Sequence, residues 1–455
     1  MNILSPVIKG NSAYMENEIK KYYIWSMGCQ MNTADTRRVA SKLEALGYLP
    51  AQHEHEADLI VLNTCVVRQS AEDKASGHIN SLKPLKKKNP QLVINVMGCL
   101  VGYKEPQALK ERFPFVDVFS PPSDINPLLA YLLNGDYQSL QGQWTEDGEY
   151  RLPLQQAGQV VTAQVPIVYG CSHACTFCII PYRRGAERSR PAQEILTEVQ
   201  ALADQGVKEI TLLGQIVDRY GKDLKDGINL ASLLRQIHTV AGIERIRFLT
   251  SHPNWMTAEL IHTVAELPKV MPHFEVPIQS GDDEVLKRMR RAYTVTDYRR
   301  LIHQIRAIIP EAAIANDIIV GFPGETEKQF ENTRSLVEEL RLDVIHLACY
   351  SARPGTIAAR HFTDDVPLAE KQRRFKIIEA LHERIASEIN QTYLGTQQFI
   401  LFEAKVKGRW MGRTPTNKIV FVQSDNNLLG KILPVTITKT SAWSMQGRLE
   451  TEPNG

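Results

Sequence analysis

Short apolar runs alternate with amphipathic stretches along most of this chain, and the character of the alternation changes twice. Up to about residue 136, apolar runs at 22–27, 59–63 and 92–97 are separated by helix-like stretches such as 33–46. Continuous apolar runs with helical patterns between them predict a parallel sheet covered by helices, an α/β domain over 20–136. From 157 to 388 the unit recurs six times, with strand-like runs at 165–169, 209–213, 245–249, 274–278, 313–320 and 344–350. Helical patterns at 194–204, 229–240, 297–309 and 327–340 lie between them. A full eight-unit barrel typically needs about 250 residues, so the length predicts an open (β/α)6 partial barrel. A long amphipathic stretch at 368–389 reads as a helix. Beyond it, β-rich runs at 399–406, 418–422 and 432–438, with glycines between them, predict a small β-barrel over 391–454.

Composition adds little to this picture. At 455 residues the chain has room for several cores, and its net charge of +2 leaves any affinity for nucleic acid to local patches. One such patch is the last segment, where eight Lys and Arg stand against four Asp and Glu from 391 onward. A basic face on a small barrel fits RNA, and solvated lysines give the same count. The opening MNILSPVIKGNSAYMENEIKK has the character of neither a signal nor a transit peptide. No apolar stretch is long enough for a membrane span, so the expectation is a cytoplasmic protein with no membrane partner.

The seven cysteines change the picture most. Cys171-Ser-His-Ala-Cys175-Thr-Phe-Cys178 follows the first barrel run directly. Three thiolates in so tight a loop can hold three irons of a cubane cluster and leave the fourth iron open to a small molecule. Zinc is the competing reading, with His173 as fourth ligand, but Cys171 and Cys175 flank it too closely for one tetrahedron. His173 is read as a polar loop residue. Three further cysteines each follow an amino-terminal strand: Cys29 in SMGCQMN, Cys65 in LIVLNTCVV and Cys99 in INVMGCL. The carboxyl ends of parallel strands line one edge, so residues far apart in sequence converge there. Each alone reads as an ordinary buried cysteine. Their common position suggests a second three-cysteine site, with Gly28 and Gly98 letting the chain turn closely around it. Cys349, within the sixth barrel run, reads as core.

Residues after the other barrel runs, among them Leu213-Gly214-Gln215 and Gly321-Phe322-Pro323-Gly324-Glu325, suit a cofactor pocket. Arg183, Arg184, Arg188 and Arg190, with Lys287, Arg288, Arg290 and Arg291, fit phosphate recognition or structural ion pairs equally. Lys86-Lys87-Lys88 reads as a solvated surface run.

The motif of Cys171, Cys175 and Cys178, with Phe177 before the last cysteine, resembles the cluster loop of radical S-adenosylmethionine (SAM) enzymes. The likeness to the methylthiotransferases is closer, through YGCSHACTFCIIPYRRGAERSRP, LLGQ, VPIQSGDDEVLKRMRRAYT, DIIVGFPGETE, YSARPGT and the amino-terminal GCQMN, LNTC and MGC. GCQMN is similar to the MiaB branch of that family, and GRTPTNKIVFV looks like its RNA-binding TRAM module. The resemblance implies a flavodoxin-like first domain and two 4Fe-4S clusters. Cys171, Cys175 and Cys178 would hold the one that binds SAM; Cys29, Cys65 and Cys99 would hold an auxiliary one that carries sulfur. It implies methylthiolation of C2 of N6-isopentenyladenosine at position 37, in the anticodon loop of tRNA, using two SAM. Partners implied are an electron donor such as flavodoxin or ferredoxin and an unidentified sulfur donor. Gln215 and Phe177 are the residues assigned to SAM. Ile216 and Asp218 stand where family members commonly carry asparagines. The rival readings are the same chemistry on threonylcarbamoyl-adenosine or a ribosomal-protein aspartate, and a non-catalytic RNA-binding protein with structural metal sites.

Overall fold

A computed structural model describes residues 19–104, 107–134 and 150–450. Positions 105–106, 135–136 and 451–454 of the expected domains, and residues 1–18 of the opening stretch read for targeting signals, lie outside the described residues.

The amino-terminal sheet has five parallel strands: β1 (Lys21–Ser26), β2 (Leu49–Pro50), β3 (Leu59–Thr64), β4 (Val93–Gly98) and β5 (Val118–Ser120). Their order is β2-β1-β3-β4-β5, the flavodoxin-like arrangement, whose switch point falls between β1 and β3. All of β3 is buried, as its unbroken Leu-Ile-Val-Leu run requires in a sheet covered on both faces. The edge strands β2 and β5 have two and three residues and leave no legible run in the sequence.

In the central domain, β6 (Thr162–Pro166) leads into a short antiparallel pair, β7 (Val168–Tyr169) with β8 (Arg188–Ser189). Then come β9 (Glu209–Leu213), β10 (Arg245–Leu249), β11 (His273–Glu275), β12 (Ala313–Val320) and β13 (Val344–Cys349). Parallel sheets β10-β9-β6 and β11-β12-β13 are joined by a parallel bridge from Ile246 to Val270, which gives the open six-strand arc. Two expected runs are displaced. The ladder with β9 takes residues 162–166, and the chain beyond turns away to meet β8. The run at 274–278 stops as a strand at Glu275, ahead of Pro277, which has no N–H to give a ladder. Strand residues such as Leu212, Phe248, Phe274 and Ile318 pack against Ile195, Leu234, Ile302 and Leu336 of the helices in one continuous core. Asn229, Thr294 and Thr326 start three of those helices with reciprocal capping boxes.

The helix Leu368–Gln391 leads to a closed barrel of β14 (Gln397–Val406), β15 (Arg409–Arg413), β16 (Ile419–Val422), β17 (Ile432–Thr440) and β18 (Met445–Leu449). β15 and β18, RWMGR and MQGRL, mix glycine and arginine with few apolar residues, so no run announces them. Two buried arginines fasten this barrel to β10. Arg245 donates to the carbonyls of Phe399 and Arg413, and Arg247 to those of Thr414 and Pro415, all at 2.7–2.9 Å.

The first domain sits over the mouth of the central one. Met31 and Ala34, on the helix Gln30–Ala45, pack against Leu213 and Leu249, the last residues of β9 and β10. One turn further along the same face, Arg38 binds Glu198 at 2.7 Å, and Arg190 binds the same carboxylate at 2.6 Å. Burial opposes the ionisation of Glu198, but Arg38, Arg190 and Arg37 outweigh it and hold the carboxyl below its usual range. The carboxyl edges of the two sheets therefore face each other. Two smaller expectations are corrected. Cys349 is half-buried at the rim of the core, its thiol against the Lys371 carbonyl. Lys86 is not a free surface lysine: it pairs with Asp117 at 2.8 Å, which holds β5 to the helix Lys83–Lys88. Among the described residues no helix is long and apolar enough to cross a membrane.

Candidate functional site

The loop 171–178 is closed by local geometry. Gly170 takes φ of 65°, and a Cβ there would stand 2.1 Å from the Ala186 carbonyl oxygen, so only glycine lets the two segments approach. Cys171 N donates to the Gly185 carbonyl, which fixes the first cysteine. Thr176 then ties the loop down: its N and Oγ1 donate to the Met289 and Arg288 carbonyls, and its own carbonyl accepts from Ala358. Phe177 turns into a small apolar cluster with Val285, Met289, Phe322, Tyr350 and Ala358. Gln215, past the end of β9, is half-buried.

Burial pushes the Cys171 thiol up to about 11 and Cys178 to about 12, and neighbouring cysteines of the loop add to both shifts. The charge of Cys175 thus reaches both Cys171 and Cys178, which places the three thiols together. Arg291 donates from Nη1 to Cys175 Sγ at 3.4 Å. Its other nitrogens are held by Tyr293 Oη at 2.7 Å and the Pro277 carbonyl at 3.0 Å. His173 has a structural role here, accepting from Trp255 Nε1 at 3.3 Å with its ring 4.9 Å from that of His252.

The other three cysteines also come together. Cys29 follows β1, Cys65 follows β3 and Cys99 follows β4, beside the switch point of the first sheet. Cys65 and Cys99 are buried and Cys29 is exposed. Burial raises Cys65, and pushes Cys99 up to about 11; the charge of Cys29 raises both further. Both glycines allow protein atoms to approach: a Cβ on Gly28 would meet Cys65 Cβ at 2.7 Å. One cysteine's neighbour is thus glycine so that another cysteine can approach. Asn32 knits the strand ends, donating to the Met27 and Thr64 carbonyls and to Asn63 Oδ1 at 2.9–3.1 Å.

Between the two sets lies Arg184, last residue of the helix Ile180–Arg184 that follows Cys178. Its Nε donates to Cys99 Sγ at 3.2 Å, its Nη2 to Asn32 Oδ1 at 3.1 Å and its Nη1 to Ser123 Oγ at 3.3 Å. Arg184, Arg291 and Asn32 were not singled out for these roles by sequence. The two arginines belong to basic runs whose burial no local pattern reveals. Also unforeseen are Glu275 and Asp317 on adjacent strands: burial, then the charge of Asp317, pushes Glu275 up to about 7, and burial raises Asp317.

The donor set suits iron–sulfur ligation. Buried thiols that are protonated on their own give up the proton to a bound metal. In a cubane each thiolate takes its own corner, so three ligands surround a common volume without meeting at a point. Among the described residues no three His, Cys, Asp or Glu side chains stand close enough to share a single metal ion.

The chain resembles known proteins along nearly its whole length. Residues 165–337 match the Radical SAM superfamily, residues 21–120 the Uncharacterized protein family UPF0004, and residues 391–449 the TRAM domain. It is 45% identical to the tRNA-2-methylthio-N(6)-dimethylallyladenosine synthase of Herpetosiphon aurantiacus, over 95% of this chain and 98% of that one. The enzyme of the same name from Roseiflexus sp. is 46% identical over 94% of this chain and 90% of that one. The Dictyoglomus thermophilum enzyme is 44% identical over 95% and 99%. In fold the chain is similar to the radical SAM methyltransferase TsrM of Kitasatospora setae, solved with cobalamin and a [4Fe-4S] cluster. That similarity has a TM-score of 0.52 at 15% identity, over 75% of this chain and 74% of that one. The radical SAM family implies a 4Fe-4S cluster and SAM. With such identity sustained from end to end, the chain belongs to the tRNA-2-methylthio-N(6)-dimethylallyladenosine synthase family.

Proposed function

We propose that this chain transfers a methylthio group to C2 of N6-isopentenyladenosine at position 37 of tRNA, using two SAM and a cluster-bound sulfur. One observation carries the reading: Arg184, on the helix that follows Cys178, touches Cys99, so the two thiol triads are neighbours across the domain seam. A reaction that joins a carbon radical to a sulfur needs its radical source and its sulfur at one place.

In this reading Cys171, Cys175 and Cys178 hold one 4Fe-4S cluster with an iron left for SAM, and Phe177 and Gln215 border the SAM position. Cys29, Cys65 and Cys99 hold the auxiliary cluster. When bound, these groups supply the reductive cleavage of SAM, hydrogen removal at C2, and the sulfur and methyl of the product. The chain supplies placement. Arg291 donates to the first triad and orients its loop through Tyr293. The apolar contact of Met31 and Ala34 with Leu213 and Leu249 keeps water from one side of the mouth. The carboxyl-terminal barrel, fastened by Arg245 and Arg247, offers a basic surface to the RNA backbone. The domains run 20–136, 157–388 and 391–454. A base of the anticodon loop, splayed from its neighbours, is the form of RNA such a mouth admits. The chemistry also requires an electron donor of flavodoxin or ferredoxin type and a sulfur donor.

The test separates the triads. Anaerobically reconstituted Cys175→Ala should make no 5′-deoxyadenosine from SAM. Cys65→Ala should retain some cleavage and yield no methylthiolated nucleoside by mass spectrometry. Normal product from Cys65→Ala would overturn the assignment of the second triad.

A further inference from the structure

We propose that Arg184 is a positioning residue that couples the two thiol triads and raises the reduction potential of the cluster at Cys29, Cys65 and Cys99. The inference rests on the reading that this triad holds a second cluster. Arg184 belongs by chain to the radical loop, because the helix Ile180–Arg184 begins just beyond Cys178. By contact it belongs to the other domain, since Cys99, Asn32 and Ser123 all lie in the amino-terminal segment.

A guanidinium presents its donors in a rigid fork, so three acceptors at set angles fix it in position as well as in charge. The side chain is 3% exposed, and Asp35 Oδ2, at 3.8 Å, stands beyond hydrogen-bond reach. The direct bond from Nε therefore goes to a sulfur, with a carboxylate only nearby. Asn32 Oδ1 accepts from Arg184 Nη2, and also from the Cys29 thiol at 3.5 Å, a bond that ends once Cys29 loses its proton to a cluster. The hydrogen bond from this cation to a ligand sulfur is therefore the one to Cys99. Cluster potentials respond to hydrogen bonds on the ligand sulfurs and to nearby charge. Adding an electron makes a cluster more negative, and a fixed cation favours that state. Neighbouring Arg183 reinforces the seam through the Leu100 carbonyl at 3.4 Å, without touching a sulfur.

The experiment uses the full chain carrying Cys171→Ala, Cys175→Ala and Cys178→Ala together, so that iron can reside only at the second triad. It is reconstituted anaerobically and titrated against potential with detection by electron paramagnetic resonance. Adding Arg184→Gln should shift the midpoint to more negative potential, and Arg184→Lys, which keeps the charge but loses the fork, should shift it less. Should Arg184→Gln bind no cluster, Arg184→Lys must still bind one. An unshifted midpoint in Arg184→Gln, or loss of the cluster from both variants, overturns the proposal. A triple-alanine chain with wild-type Arg184 that binds no iron overturns the second-cluster reading instead, so the two failures are distinguishable.

Discussion

Arg353 Nη2 stands 2.5 Å from Glu72 Oε2, joining the loop beyond the last barrel strand to the helix Gln69–Ser81 that follows Cys65. Arg353 Nη1 also donates to Gln69 Oε1 at 2.6 Å. The partners are unequally placed: the arginine side chain is 5% exposed and the glutamate 23%. Glu72→Ala strands a buried cation, whereas Arg353→Ala leaves a carboxylate that water can reach. Glu72→Ala should therefore cost about 2 kcal/mol, discounted from the usual buried-pair penalty for the exposure of Glu72. Arg353→Ala should cost less. Chemical denaturation of both variants checks the order, and the reverse order would refute it.

Gly98 takes φ of 95°, and a Cβ there would stand 2.6 Å from the Thr64 carbonyl oxygen and 2.8 Å from Asn63 Oδ1. Gly98→Ala must displace the strand end that carries Cys99. On the proposed two-cluster reading, iron bound after reconstitution should fall to about half. Gly206→Ala is the control, because Gly206 has a similar φ of 93° with nothing within 4 Å of its Cβ position. Equal iron in the two variants would show that the close approach at Gly98 has no bearing on Cys99.

Asp218 is buried and accepts from the His252 N–H on both oxygens, at 3.1 and 3.0 Å. Burial nevertheless pushes its carboxyl up to about 8. In the unfolded chain the proton leaves near the ordinary carboxyl value, so between about pH 4 and pH 8 the folded state holds the extra proton. Stability therefore falls as pH rises through that window, by at most about 1.4 kcal/mol per pH unit from this group. Asp218→Asn should flatten that slope and stabilise the chain at neutral pH. Denaturation midpoints across the window test it, and parallel pH profiles for the two proteins would exclude Asp218 as the cause.

Arg245 is 3% exposed, and its two bonds to carbonyls at 2.7 and 2.8 Å tie the terminal barrel to β10. Arg245→Ala should loosen that barrel. The expected result is faster proteolysis near residues 391–397 and weaker tRNA binding across all sequences, while SAM is still cleaved to 5′-deoxyadenosine. Unchanged tRNA affinity together with faster proteolysis would mean that docking of the barrel does not serve binding.

Much of this molecule was legible before its structure. Apolar runs lay at or beside all six strands of the open arc, and they were accurate for the buried strands β9 and β10. β6, TAQVP and only partly buried, starts ahead of its run, and β11 ends short of it. The edge strands β2 and β5 and the terminal strands β15 and β18 were not legible, being too short or too polar to carry a period. The tight loop from Cys171 to Cys178 was legible as one unit, since spacing within a loop is itself a constraint on geometry. Cys29, Cys65 and Cys99 were legible only as three strand ends, and their convergence follows from the order of strands in the sheet.

By itself, then, the sequence determined which thiols stand at strand ends and in one tight loop, because those positions follow from local period and spacing. Only the tertiary structure decided that the two edges face each other, that Arg184 spans the seam to Cys99, and that Arg291 serves Cys175. Whether an arginine is solvated or buried against a sulfur depends on packing between segments distant in the chain, and no local pattern encodes that.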